Sequence, residues 1–236
     1  MAPRTLFKLP PDTPAKWSIA AANAGLINQT IKSRGSLESG SKITEEQFLL
    51  LRILTTTAAP GSLNPNRWGL TPYIAQAQAA LLNPGFLQFL GAIPAGAGAA
   101  RIPGAFRQAQ IQYLEVIEGL TKKKQLEDID ETSINSSLIT LLQGITDLVP
   151  TAGRRWRSRH VKLTINYGRR PGDKKDRKFT AVTDGQLQRS GGGRAISALV
   201  ECKRAPRMEK RHKEAMQEAA EFATWVGDYR TGPGHA

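Results

Sequence analysis

The chain has 236 residues, 40% of them hydrophobic, enough for one domain of ordinary size plus an appendage. Its single cysteine, Cys202, excludes an internal disulfide framework and a cysteine-rich zinc site, and the three histidines, His160, His212 and His235, lack paired ligand spacing. The net charge of +13 is uneven: residues 151–236 hold 20 Lys and Arg against 9 Asp and Glu, and residues 1–150 hold 13 against 11, so an anionic partner is expected of the back third, with a solvated basic face as the plain alternative.

No continuous apolar run follows the N-terminal charges, so no secretory signal is expected and an intracellular setting, nuclear or cytoplasmic, fits best. Residues 1–41 carry Pro3, Pro10, Pro11 and Pro14 and read as a mostly flexible N-terminal segment with a short helix over 17–27. Residues 42–130 read as a helical region. Thr44-Glu45-Glu46-Gln47 resembles a capping box, and Phe48, Leu51 and Leu54 continue a helix that ends before Pro60. Thr71 and Pro72 read as N-cap and first position of a helix through Leu82, stopped by Asn83-Pro84-Gly85. The apolar run 86–100 is broken by Gly91, Pro94, Gly96 and Gly98, which predicts an Ala/Gly linker and no membrane partner. Trp68, Phe86 and Phe89 are expected as core anchors, and a further helix over 104–120.

A third segment, 131–236, opens with the cleanest helix: Ser133 is placed to cap it, and Ile134, Leu138, Leu141, Leu142, Ile145 and Leu148 form its apolar stripe before Pro150. Arg154, Arg155, Arg157 and Arg159 then surround Trp156. The arginines suit phosphates, and Trp156 either stacks a base or anchors the helix-to-strand junction, the latter being favoured. Residues 160–167 alternate as a first strand. The loop 168–178, with Lys174 and Lys175 past a Pro171-Gly172 turn, either grips a phosphate backbone or is simply a charged loop.

Phe179 to Thr183 reads as a second strand that Asp184-Gly185 ends or bends. Three glycines at 191–193 make a flexible connection, and 195–202 reads as a third strand covered on both faces. Alternation sets Glu201 and Lys203 side by side with Cys202 turned away. If the second strand pairs with the third, Asp184 joins them, and two carboxylates suit a hard divalent cation such as Mg²⁺ or Mn²⁺. A last helix spans 208–225, with Met216, Ala219, Ala220, Ala223 and Val226 able to face the sheet. Arg204, Arg207, Lys210 and Arg211 at its start could reach phosphates.

Ala181-Val-Thr-Asp184-Gly185, Val200-Glu201-Cys202-Lys203-Arg204 and Met216-Gln217-Glu218-Ala-Ala-Glu221-Phe-Ala-Thr-Trp225 together resemble the PD-(D/E)XK nuclease superfamily, in particular the nuclease-like domains of fungal proteomes. The resemblance implies an α/β (α+β) fold with a restriction-endonuclease-like core, a mixed sheet flanked by helices, behind a helical N-terminal region. It implies Asp184 and Glu201 as metal ligands, Lys203 as a water-positioning or charge-stabilising group, and Gln217 as a glutamine reaching back from the last helix. The residue four positions beyond Gln217 is Glu221 where the wider pattern has an aromatic. An acidic residue of the first helix often joins the site in relatives, for which Glu131 and Asp147 are candidates. Relatives also add a strand after the last helix, and here the core is expected to be cut short. Two functions remain open on these residues: a metal-dependent nuclease acting on nucleic acid, DNA ahead of RNA, or a noncatalytic nuclease-fold module that binds nucleic acid or a protein. A helical scaffold whose N-terminal half carries the function is a third.

Overall fold

The computed structural model describes residues 5–34, 36–56, 60–98, 100–122, 130–191, 195–203 and 207–231. The class is mixed α+β, with two small antiparallel sheets among the described residues. By contacts the chain forms two compact units, one of residues 1–58, 160–183 and 207–236, the other of residues 59–159 and 184–206.

The first unit contains α1 (Pro14–Asn23), α2 (Glu45–Leu51), the antiparallel pair β2 (Val161–Asn166) and β3 (Lys178–Thr183), and α7 (Arg207–Thr231). The stretch whose prolines predict a flexible chain contributes α1, because Pro14 stands at the first helical position, where no N–H is needed, and Thr13 Oγ1 accepts from Lys16 N at 3.3 Å. Ala20, Ala21, Leu26 and Ile31 are buried with Leu49 and Leu50 of α2. Thr44 caps α2 through Gln47 N, as the sequence predicts, but the helix stops at Leu51, well before Pro60. Arg52 turns left-handed there (φ 56°), and Thr55 N donates to Pro11 O at 3.0 Å, which carries the chain away. On α7, Met216, Ala219 and Ala220 are buried as the apolar spacing predicts, whereas Val226 is exposed and the polar Glu221 and Thr224 are buried in its place. Thr224 satisfies its hydroxyl by donating to Ala220 O at 2.6 Å.

The second unit contains α3 (Thr71–Leu81), α4 (Pro84–Ala92), α5 (Arg107–Lys122), α6 (Glu131–Asp147) and a sheet in the order β1 (Arg154–Arg157), β4 (Gly185–Arg189), β5 (Ile196–Val200), with all pairings antiparallel. The cap of α3 is Leu70, with Thr71 already helical and its hydroxyl donating to Asn66 Oδ1. The first part of the run 86–100, expected as a linker, is helical in α4: Asn83 Oδ1 accepts from Gly85 N and Phe86 N, and Phe89 is buried with Ile102, Phe106 and Ala109. Phe86 packs on that cluster, but Trp68 is 62% exposed with Arg67 across its ring, so it is no core anchor. The cap of α6 is Asp130, which accepts from Thr132 N at 2.9 Å, three residues before the expected Ser133. Among the described residues no helix is long and apolar enough to cross a membrane.

Two strands were not legible as strands. The arginine-rich 154–157 is β1, and β3 ends at Thr183 against β2, as Asp184-Gly185 predicts, while a further strand, β4, starts at Gly185 in the other sheet and is the one that pairs with β5. The third strand is shorter than expected and lies at an edge of its sheet. Its residues are half-buried or exposed, which corrects the expectation of cover on both faces.

Candidate active site

The second unit holds the residues that organise the site. The register pairs Gly185 with Val200, so Asp184 stands opposite Glu201 where the two strands leave the ladder. Cys202 N–H donates to Asp184 Oδ2 at 2.8 Å, which fixes the carboxylate of one strand end to the backbone of the other. Lys203 Nζ forms an ion pair with Glu201, and these side chains are 23% and 8% exposed. Cys202 points the other way and is buried, as strand alternation requires.

Helix α6 supplies the underside. Asn135 Nδ2 donates to the Asp184 carbonyl at 2.8 Å, while its Oδ1 accepts from Cys202 Sγ at 3.4 Å. One buried amide therefore ties both strand ends to one helix. A glycine follows Asp184 at a close approach: a Cβ at Gly185 would stand 2.5 Å from Ile139 Cδ1 and 3.0 Å from the Arg157 carbonyl, so any side chain would have to displace Ile139 and crowd the β1 backbone.

The electrostatics follow. Burial pushes the Cys202 thiol up to about 11, and the negative charges of Asp184, Glu201 and Glu131 push the same way. At Lys203 burial opposes the charged form, but the hydrogen bond and charge of Glu201, together with Asp184 and Glu131, outweigh it and hold its pKa above the ordinary lysine value. Lys203 is therefore an ammonium throughout the neutral range. It can donate to water or phosphate oxygen but cannot take a proton from an attacking water.

Asp184 and Glu201 offer only oxygen donors, the set a hard cation takes. Of the two acidic candidates on α6, Glu131 lies where its charge is felt by Lys203 and Cys202, while Asp147, at the other end of the helix, accepts from Gln143 Nε2 at 2.6 Å. Among the described residues no group of three or more His, Cys, Asp or Glu is placed to hold a metal, so Glu131 adds field and not a third ligand. Gln217 belongs to the first unit, where its Nε2 donates to Glu221 Oε1 at 2.9 Å, one turn along α7.

Of the basic residues, Arg154 is half-buried on β1 and Arg155, Arg157 and Arg159 are exposed. Trp156 is the junction anchor: its N–H donates to Gln143 Oε1 at 2.8 Å and its indole Nε1 to Thr146 Oγ1 at 3.1 Å, both on α6. Lys174 and Lys175 are exposed beside a shallow pocket of about 390 Å³ whose lining also includes Asp173 and Asp176, so the sign there is mixed. Arg204 and the Arg207 side chain lie outside the described residues. The residue that sequence reasoning missed is Asn135. No local signal marks it, because an asparagine in an amphipathic helix shows its role only when the sheet is docked on it.

Comparison with known proteins returns no family, no curated protein and no solved structure that matches this chain.

Proposed function

We propose that the Asp184, Glu201 and Lys203 constellation is a metal-dependent phosphodiester hydrolysis site of the PD-(D/E)XK type, on a restriction-endonuclease-like arrangement of α6 and the strands that follow it. The observation that carries the reading is the strand register: it sets Asp184 against Glu201 with Lys203 paired to Glu201, on a helix-backed sheet. A Mg²⁺ or Mn²⁺ ion held by the two carboxylates would supply a polarised water and a Lewis acid for the phosphoryl oxygens. The chain's own part is positional. The Cys202 N–H and the Asn135 amide hold Asp184 in place from two sides. Lys203, kept cationic by its neighbours, orients water or offsets charge building on the phosphate. The arginines of β1 supply the sequence-independent attraction for a nucleic-acid backbone.

A specific observation favours the second reading, a binding module without cleavage: the Glu201 carboxylate is largely buried and its charge is already met by Lys203. Nicking of supercoiled DNA decides between them. Under the hydrolytic reading wild type nicks in Mg²⁺ or Mn²⁺, EDTA stops it, and Asp184→Asn loses it while still binding DNA. Binding by both proteins with no nicking in either metal would leave the module.

A further inference from the structure

The β1–β4 ladder carries a pairing that stability alone does not explain. Arg154 is directly opposite Arg189, so two guanidinium side chains rise from neighbouring strands on the same face. Ser190 N–H donates to the Gly153 carbonyl at 3.0 Å, which makes the adjacent Arg154–Arg189 pair the non-hydrogen-bonded type, with Cα atoms about 4.5 Å apart and side chains at their closest. Like charges set this way repel. Neither arginine makes a hydrogen bond or ion pair with an acid among the described residues, and Arg189 is exposed. Three arginines of the first unit are handled otherwise: Arg34 meets Glu46, Arg169 meets Asp176 and Arg177 meets Asp173.

The position of the pair is set by the same sheet. Asp184 precedes β4 and Arg189 ends it, so the pair lies five residues along one strand from the candidate site, roughly 17 Å at the usual rise per residue. Trp156, bonded to α6, stands two residues from Arg154 on the same strand and fixes its backbone. Two forked donors on a rigid ladder suit a planar or tetrahedral oxyanion, and a phosphate between them removes the repulsion that the free protein bears.

We infer that Arg154 and Arg189 form a cross-strand clamp for one phosphate group, so that Arg189, which the sequence places only beside a flexible glycine turn, is a binding residue. With nucleic acid as the phosphate source the inference rests on the reading given above, and the clamp then holds a backbone phosphate a few nucleotides from the scissile bond.

The test uses the full chain in EDTA, where cleavage plays no part, with Arg154→Gln, Arg189→Gln, the double variant, and the exposed Lys42→Gln as a control in the other unit. Binding of a labelled single-stranded oligonucleotide is followed by anisotropy against salt, and thermal midpoints are measured with and without inorganic phosphate. Because both arginines share one phosphate, each single variant lowers the magnitude of the salt slope by about 0.7 and the double variant lowers it no further. Each variant also raises the thermal midpoint of the free protein, since a repulsion has been removed, and loses the upward shift that inorganic phosphate gives wild type. A phosphate-dependent shift that both variants abolish, with an unchanged oligonucleotide slope, keeps the clamp and makes free phosphate its ligand. Variants that leave both slope and phosphate shift as in wild type, or that lower the free protein's midpoint, overturn it. Loss of nicking by Asp184→Asn has no bearing on these outcomes, so the clamp and the hydrolytic reading fail separately.

Discussion

In the first unit Arg34, Arg169 and Arg177 each meet a carboxylate, and Arg170 and Arg177 also donate to the backbone carbonyls of Ser33 and Lys32. On the β1–β4 ladder of the second unit, Arg154, Arg155, Arg157 and Arg189 meet no carboxylate among the described residues. The first unit uses its cations to pin the loop 168–178 to residues 32 and 33. The second commits Lys203 to Glu201 and buried polar groups to Asp184, and leaves the arginines of this ladder without a carboxylate among the described residues. A net charge of +13 does not distinguish these uses; the pairing does.

The largest test of that contrast removes the buried clasp of the second unit. Asn135→Ala strips the partner from the Asp184 carbonyl and the Cys202 thiol, both under cover, and is expected to cost about 2–3 kcal/mol in chemical denaturation. An unchanged denaturation midpoint would mean that the strand ends hold themselves.

The next effect is on pH. The Cys202 thiol ionises at about 11 in the folded chain against an ordinary value of 9.0, so the unfolded chain loses its proton first as pH rises. Stability from this group is complete below pH 9 and is lost progressively between pH 9 and 11, about 2–3 kcal/mol in all. Cys202→Ala should flatten that part of the stability profile. A wild-type alkylation rate already at its plateau by pH 9 would show that the thiol is not raised.

The smallest effect compares one arginine from each unit. Arg177→Gln breaks the ion pair with Asp173 and the bond to the Lys32 carbonyl, and should lower stability by about 1 kcal/mol, less at high salt. Arg155→Gln should leave stability within about 0.5 kcal/mol of wild type and weaken oligonucleotide binding. Equal losses of stability in the two would dissolve the distinction between the units.

The parts that were legible in the sequence depend on local rules. Alternation along 201–203 puts Lys203 on Glu201 and Cys202 beneath, and Thr44 caps its helix as its spacing indicates. The spacing of Met216, Ala219 and Ala220 marks the covered face of α7. The parts that were not legible depend on what the chain meets far along the sequence. Arg154 to Arg157 carries no apolar alternation, yet it pairs because β4 offers a ladder and Trp156 finds α6. Asp184-Gly185 ends β3 as its composition indicates, but that Gly185 opens β4 in the other sheet, close against Ile139, shows only when α6 is docked there. Trp68 shows the converse: a large aromatic alone does not specify burial, and it stays 62% exposed.

The central claim is that Asp184 and Glu201 together hold a divalent cation. The most direct measurement is calorimetric titration of Mn²⁺ into wild type and into the Asp184→Asn/Glu201→Gln double variant, with folding of both checked by circular dichroism. Saturable heat in wild type that is absent from the folded double variant is the result expected. Superimposable titrations, with or without heat, would contradict the claim, and the arginine ladder would then stand as the functional surface of the second unit.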